Sequence, residues 1–308
     1  MERECPFCAG RRTSGRLVLR ERFFGMGTQF AYAVCAECGS IYILDPAIDL
    51  KPYYPETYYS YAPEPSGIFG HVLRTLFATR ARRYLHLIRS AGVEVNRQST
   101  IVDAGSGSGT LLRAMRRLGY RNVRGLDPYL PADVDAGDIE IARESIESAA
   151  SRPKNAGSAK VVMFHHTLEH MEDPVRALRA AAALVSGNGA ILVRLPIVAY
   201  AWERYRECWF ALDAPRHLAI PTERAMKRAA ERAGLHVALV RYDSTALQFI
   251  GSETYVHGRS FVEAFPSRAG MFLRVGTSVR HQLHARWLNW RHRGDEAGFV
   301  LVPAVAHA

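Results

Sequence analysis

Past residue 99 the apolar positions of the chain switch repeatedly between two patterns. Continuous short runs such as Ile101-Val102 and Val161-Val162-Met163-Phe164 suit strands covered on both faces. Between them, apolar residues recur every three or four positions, the period of a helix with one buried side. The runs place strands at 100–103, 122–126, 138–142, 160–164, 190–195, 235–242 and 297–302. Helices are expected at about 110–118, 174–185 and 222–233, with Pro174 in a first turn and Gly234 just past an end. Strands alternating with helices predict an α/β fold with a mostly parallel sheet and helices on both faces.

The chain ahead of this region reads differently. Residues 16–21 and 29–34 form two short strands joined around Gly25 and Gly27, and 40–66 is a linker dense in tyrosine and proline. Leu73, Leu76, Phe77, Tyr84, Leu87 and Ile88 share one face of a helix spanning 68–90. A further insertion at 251–293, helical in its later part, carries Trp287 and Trp290 before the last strand. The expected organisation is a module at 1–45, a linker and leading helix at 46–98, and a main domain at 99–308.

The most informative stretch is Ile101-Val102-Asp103-Ala104-Gly105-Ser106-Gly107-Ser108-Gly109-Thr110-Leu111-Leu112. An apolar run ends in an acid, glycines follow at alternate positions, and a helical pattern starts at once. Glycines let a backbone approach a ligand closely, and the helix start offers unpaired N–H groups. The dinucleotide fingerprint requires glycine where Thr110 stands, and no Gly-Lys-Ser/Thr ending marks a nucleoside-triphosphate loop. The acid followed by three alternate glycines resembles the cofactor loop of class I S-adenosylmethionine (SAM) methyltransferases. Asp127 lies twenty residues beyond Gly107 at the tip of the second strand, where a carboxylate can accept both hydroxyls of a ribose.

Composition narrows the setting. The formal net charge is +10, which suits an anionic partner such as a nucleic acid, a nucleotide-linked substrate or a membrane surface. The positive residues are spread over 74–89, 113–124 and 268–293, so a solvated, arginine-rich surface accounts for them as well. No apolar run follows the N-terminal Met-Glu-Arg-Glu and none has the length of a membrane span, so a cytoplasmic protein is expected.

Four of the five cysteines form two C-x-x-C knuckles, Cys5 to Cys8 and Cys35 to Cys38, with a glycine close behind each second cysteine. Four thiolates so spaced can close a tetrahedron around a structural zinc ion with no open position for chemistry. Redox disulfides are the alternative, disfavoured in a reducing compartment.

The exit of the fourth strand reads Phe164-His165-His166-Thr167-Leu168-Glu169-His170-Met171-Glu172-Asp173-Pro174. His166, Glu169 and His170 match the inverted zinc-protease spacing, but that motif needs one helix face, and this stretch leaves a strand and meets a proline. The run from Leu168 to His170 before Asp173-Pro174 resembles methyltransferases akin to the ubiquinone-biosynthesis O-methyltransferases. Leu212-Asp213-Ala214-Pro215-Arg216-His217-Leu218 and Gly294-Asp295-Glu296-Ala297-Gly298-Phe299 are similar to that family too. The paired knuckles and the tyrosine-rich linker resemble its zinc-bearing members, associated with sugar, polysaccharide or secondary-metabolite modification.

The resemblance implies a Rossmann-like seven-stranded sheet and SAM as cofactor, alongside structural zinc at Cys5, Cys8, Cys35 and Cys38. It implies cofactor contacts at Asp103, Gly105, Ser106, Gly107, Gly109, Asp127, Pro128, Ser145, Ile146 and His165. Relatives carry glutamate where this chain has His166, in a cluster able to hold a divalent metal, so His166, Glu169 and His170 are a further metal trio to examine. A hydroxyl acceptor must lose a proton, and histidine titrates in the useful range. His217 is the expected base, with His166 and His165 next. The expected acceptor is a hydroxyl or carbon of a small molecule or glycan precursor. An RNA methyltransferase and an inactive, methyltransferase-fold binding protein are the alternatives.

Overall fold

The computed structural model describes residues 3–54, 67–135, 137 and 139–304. Most of the tyrosine- and proline-rich linker, including Tyr58, Tyr59 and Tyr61, lies outside them.

The chain opens with β1 (Thr13–Arg20), β2 (Gln29–Cys35) and β3 (Ile41–Ile43), then the long helix α1 (Gly67–Ser90). The α/β region follows as β4 (Ile101–Ala104), α2 (Thr110–Arg117), β5 (Val123–Leu126), β6 (Val134–Asp135), β7 (Glu140–Ala142), α3 (Ile146–Ala150), β8 (Ala159–His165), α4 (Pro174–Leu184) and β9 (Val185–Pro196). Its second half comprises α5 (Tyr200–Tyr205), β10 (Ala219–Ile220), α6 (Glu223–Arg232), β11 (Leu235–Tyr242), α7 (Leu247–Val256), α8 (Phe261–Ala264), α9 (Arg268–Thr277), α10 (Val279–Trp290) and β12 (Glu296–Pro303).

The main sheet runs β11-β12-β9-β8-β4-β5-β7-β6. Parallel pairing links β9, β8, β4, β5 and β7, while β12 lies antiparallel between β9 and β11. Seven of these strands answer the seven expected, and the eighth is the two-residue β6, antiparallel to β7 at the edge. The order reverses between β4 and β8. That is the switch point at which open α/β sheets leave a crevice beyond the strands' carboxyl ends.

Strand alternation explains the two-sided core. Val102, Val162, Phe164, Ile191 and Val193 face one way, against Leu178 and Ala181 of α4 and Met226 and Ala229 of α6. Ile101, Val161, Met163 and Leu192 face the other, against Leu85 and Ile88 of α1 and Leu112 and Met115 of α2. Asp173 caps α4 by accepting from the Arg176 N–H, and Thr222 caps α6 by accepting from Ala225.

β1, β2 and β3 make an antiparallel meander whose fourth strand is β10, so the N-terminal sheet is completed from within the α/β region. Phe7 and the knuckle cysteines Cys5, Cys35 and Cys38 share a core cluster with α6 and the main sheet. The insertion differs from expectation at its start: its first helix, α7, begins at Leu247 and runs through residue 251. Gln248, Phe249, Ile250, Gly251 and Ser252 are buried, and that packing extends the helix back beyond the expected boundary. Among the described residues no helix is long and apolar enough to cross a membrane.

Candidate functional site

The glycine loop turns from β4 into α2 beside the switch point. Gly105, Gly107 and Gly109 all hold positive φ, at 75°, 52° and 77°, a region that side-chain-bearing residues adopt only with strain. A Cβ at Gly105 would drive into the Thr167 side chain, so glycine here lets the loop rest on the exit of β8. At Gly109 a Cβ would meet Ile141 Cδ1 at 2.8 Å. Gly109 is also the N-cap of α2 and supplies no side-chain cap, leaving the helix start open for an acceptor.

Asp127 closes the loop from the tip of β5. Its Oδ2 accepts from the Gly107 N–H at 2.9 Å and its Oδ1 from the Tyr129 N–H at 3.0 Å. The sequence presented Asp127 as an open acceptor; the fold gives each oxygen one backbone donor and leaves each a second lone pair. Asp103 lies beneath the loop, nearly buried, and its Oδ1 has no partner among the described residues. Burial, helped by the charge of Asp127, pushes its carboxyl up to about 8. The Ser106 hydroxyl is buried and unpartnered in the same way. Two orphaned polar groups under a glycine loop are what an absent polar ligand leaves behind.

The remaining expected contacts sit around this loop. Pro128 is exposed. Ser145 caps α3, accepting from the Ser148 N–H at 3.2 Å. Ile146 is buried in the core cluster under α4.

The β8 exit brings the histidines in. His165 lies between the Tyr84 hydroxyl, 3.0 Å from Nδ1, and Arg80, which donates to Nε2 at 3.2 Å. His166 Nε2 faces the Arg194 guanidinium, which can only donate. The ring proton of His166 therefore sits on Nδ1, directed at Glu169 Oε1 at 3.3 Å. Burial, and then the neighbouring arginines, hold both histidines well below their ordinary range. Both rings are neutral, and each basic nitrogen already receives an arginine N–H.

His217 is placed differently. Its Nδ1–H donates to the Ala211 carbonyl at 2.7 Å, which leaves the lone pair on Nε2. That nitrogen lies 3.9 Å from Glu169 Oε1 and 4.0 Å from Asp213 Oδ2. Burial lowers its basicity, and Asp213 opposes the shift. Nε2 of His217, like that of His170, meets no hydrogen-bond donor among the described residues, whereas Nε2 of His165 and of His166 each receives an arginine N–H. Potential ligand atoms of Glu169, His170 and His217 lie within 4.8 Å of one another. The sequence left open a trio of His166, Glu169 and His170; the fold gathers His217 with Glu169 and His170 instead, because Arg194 holds His166.

Arg194 was invisible as a site residue, although one charge inside the apolar run of 190–197 was the available signal. It is buried and binds Asp243 through Nε at 3.0 Å, Glu296 through Nη2 at 2.6 Å, and His166. Arg216, beside the expected base, is wholly buried as well. It binds Asp213 and Glu21, donates to the Tyr53 carbonyl at 3.3 Å, and stacks over Phe23 at 4.8 Å.

Away from this crevice the two knuckles mirror one another. Ala9 N–H donates to Cys5 O and Gly39 N–H to Cys35 O, each at 2.9 Å. Positive φ falls on Gly39 in one knuckle and on Ala9, not Gly10, in the other. Sulfur separations are 3.5 Å for Cys5–Cys38 and 3.6 Å for Cys8–Cys35, and all four thiols lie within 4.8 Å. A tetrahedron with Zn–S bonds of about 2.3 Å has edges of about 3.8 Å, so four thiolates placed this way fit zinc with little movement.

A model of the methyltransferase domain matches residues 76–240, more than half of the chain. With the strand order and the loop, that match defines the class: a class I SAM-dependent methyltransferase fold. The chain belongs to the methyltransferase-domain family. It is 35% identical over 100 residues to a ubiquinone biosynthesis O-methyltransferase of Cupriavidus pinatubonensis, covering 30% of this chain and 39% of that protein. It is 35% identical over 98 residues to the Ralstonia nicotianae enzyme of the same name, covering 30% of this chain and 40% of that one. The matches thus span about two fifths of these relatives' length. A solved geranyl diphosphate methyltransferase in complex with SAM aligns with a TM-score of 0.48 at 11% identity, covering 81% of this chain and 95% of that one.

Two outcomes follow from this geometry. Freshly purified, reduced protein should carry about one zinc per chain by elemental analysis. Cys35→Ser with Cys38→Ser should lose it, and a metal-free wild type would remove zinc from the knuckles. The second concerns Asp103, whose folded value of about 8 stands above its ordinary 3.8. Its contribution to stability is therefore full below the ordinary value and is lost as pH rises through about 8. Without cofactor, the fall in denaturation midpoint between pH 5 and 8 should be shallower in Asp103→Asn than in wild type. Parallel curves would show that Asp103 is ionised in the fold.

Proposed function

We propose that this chain transfers the methyl group of SAM to a hydroxyl of a small molecule or glycan precursor, with His217 as the base. The observation that carries the reading is adjacency along the exit of β8. The glycine loop rests on Thr167, and two residues on Glu169 faces the Nε2 lone pair of His217. This adjacency supports a cofactor loop and a base that share the crevice at the sheet's switch point. The hydroxyl acceptor rests on likeness to relatives named as ubiquinone biosynthesis O-methyltransferases.

Asp103, Ser106, the glycine loop and Asp127 would hold the cofactor, with the turn at Ser145 and Ile146 beside them. The donor set fits. Asp103 Oδ1 and the Ser106 hydroxyl lack partners among the described residues, and Asp127 keeps a lone pair on each oxygen for a ribose. Bound there, SAM supplies a methyl group already activated on a sulfonium centre. What is left to the protein is to align the acceptor, exclude water and take up the acceptor's proton. His217 suits proton uptake, because the Ala211 carbonyl fixes its tautomer and burial keeps it neutral near pH 7. Arg216 is read as holding the 213–217 loop in place. We also assign residues 1–45 to a zinc-stabilised module, 46–98 to a connecting segment with the leading helix, and 99–308 to the catalytic domain.

Incubation with labelled SAM and a cell extract, followed by identification of the labelled product, tests the reading. A labelled RNA would replace the small-molecule acceptor, and SAM binding without any product would mark a binding protein. In calorimetry Asp127→Ala should weaken SAM binding tenfold or more, by removing the ribose acceptor and freeing the loop; unchanged affinity rejects the cofactor site. On the identified substrate His217→Asn should lower kcat roughly a hundredfold with SAM affinity unchanged. The wild-type rate should rise with pH through a value below the ordinary 6.5 of histidine, and that limb should vanish in the variant. Near-normal turnover would take His217 out of the mechanism.

A further inference from the structure

The outer face of α10 is apolar where a surface helix should be polar. Val279, Leu283, Trp287 and Trp290 are 65%, 60%, 51% and 73% exposed. Their spacing of four, four and three residues stacks them into one stripe along the helix, about 18 Å long for twelve residues. Ala285 and Leu288 occupy the opposite side and are fully buried, so the helix is anchored by its other face. Leu273 of α9, 68% exposed, adds a further apolar side chain in the same segment.

The segment's own charges are of one sign, and the acidic groups set against it are Glu203, at Arg293, and Glu253, at His281. Residues 268–293 contain six arginines and neither aspartate nor glutamate. At 100° per residue Arg286 and Arg280 fall on the two flanks of the stripe. The Arg291 guanidinium lies over the rings of both Trp287 and Trp290, 5.8 Å from each centroid. Arg280 and Arg286 form no ion pair among the described residues.

We infer that this face of α10 docks on an anionic lipid surface, with the helix lying in the plane of the membrane. The indoles and aliphatic side chains enter the headgroup boundary, where tryptophan is favoured. The flanking arginines meet lipid phosphates and extend their stems over the apolar stripe. Single-stranded nucleic acid also stacks on tryptophan and pairs with arginine. Val279, Leu283 and Leu273 offer a base nothing to stack on, and they find a solvent in acyl chains. The surface stands independently of the methyl-transfer reading.

Sedimentation of the full chain with phosphatidylcholine vesicles, with and without phosphatidylglycerol, tests it. The chain should pellet with the anionic vesicles only and release as salt rises. Its tryptophan emission should shift to the blue on binding, because Trp202 and Trp209 are already buried and only Trp287 and Trp290 can change surroundings. Trp287→Ala with Trp290→Ala, and separately Arg280→Glu with Arg286→Glu, should each reduce vesicle binding tenfold or more. Melting temperature and SAM affinity should stay at wild-type values, since all four side chains are exposed. The inference is overturned if neither vesicle binds, if neutral vesicles bind equally, or if the variants bind like wild type. It is also overturned if an oligonucleotide or a protein, and not the vesicles, protects this face.

Discussion

Two buried guanidinium groups set the conditions for the rest of the crevice. A buried arginine is tolerated only when its charge and N–H groups are met by partners. Arg194 recruits Asp243 from the end of β11, Glu296 from the start of β12 and His166 from the exit of β8. Arg216 recruits Asp213 beside it, Glu21 from the end of the N-terminal hairpin and the carbonyl of Tyr53. Each thereby ties segments far apart in sequence into one wall over the sheet's carboxyl edge. Glu21 is further fixed by accepting from the backbone N–H groups of Phe24 and Met26.

Those anchors sort the histidines. His165 and His166 lie against arginines, so their basic nitrogens are spoken for and protonation is opposed by both burial and like charge. His217 lies on the far side of Glu169, next to Asp213 and away from Arg194. Its proton is parked on a backbone carbonyl and its lone pair is presented. The N-terminal hairpin takes part directly, since the Tyr32 hydroxyl donates to the His217 carbonyl at 2.9 Å. The knuckles therefore support a structure whose far end touches the proposed base, although their four thiols stand apart from it.

The glycine loop answers to two demands at once. Gly105 needs its small size for the protein's own packing, because Thr167 fills the space a side chain would take. The loop's approach to the β8 exit is thus built into the fold, and a bound cofactor would find both halves of the crevice already joined. Asp103 Oδ1 and the Ser106 hydroxyl beneath it have no partner among the described residues, which is a local cost the fold accepts where a ligand can offset it.

Much of this was legible in the residues themselves. Continuous apolar runs separated by helical periods determined the α/β alternation. The three alternate glycines after Asp103 determined the turn, and the two C-x-x-C pairs determined a four-thiol cluster, because each of these signals is local and acts over a few residues. Strand order was not legible, since it depends on which runs pair across the sheet; the antiparallel insertion of β12 between β9 and β11 is a choice made by packing. The roles of Arg216 and Arg194 were decided by tertiary structure alone. Arg216 resembles a loop residue free to meet substrate until Glu21, nearly two hundred positions away, closes on it. The sequence ranked the three histidines only by their positions between strands and helices. Only the fold, by setting arginines against two of them and a carbonyl against the third, made them chemically different.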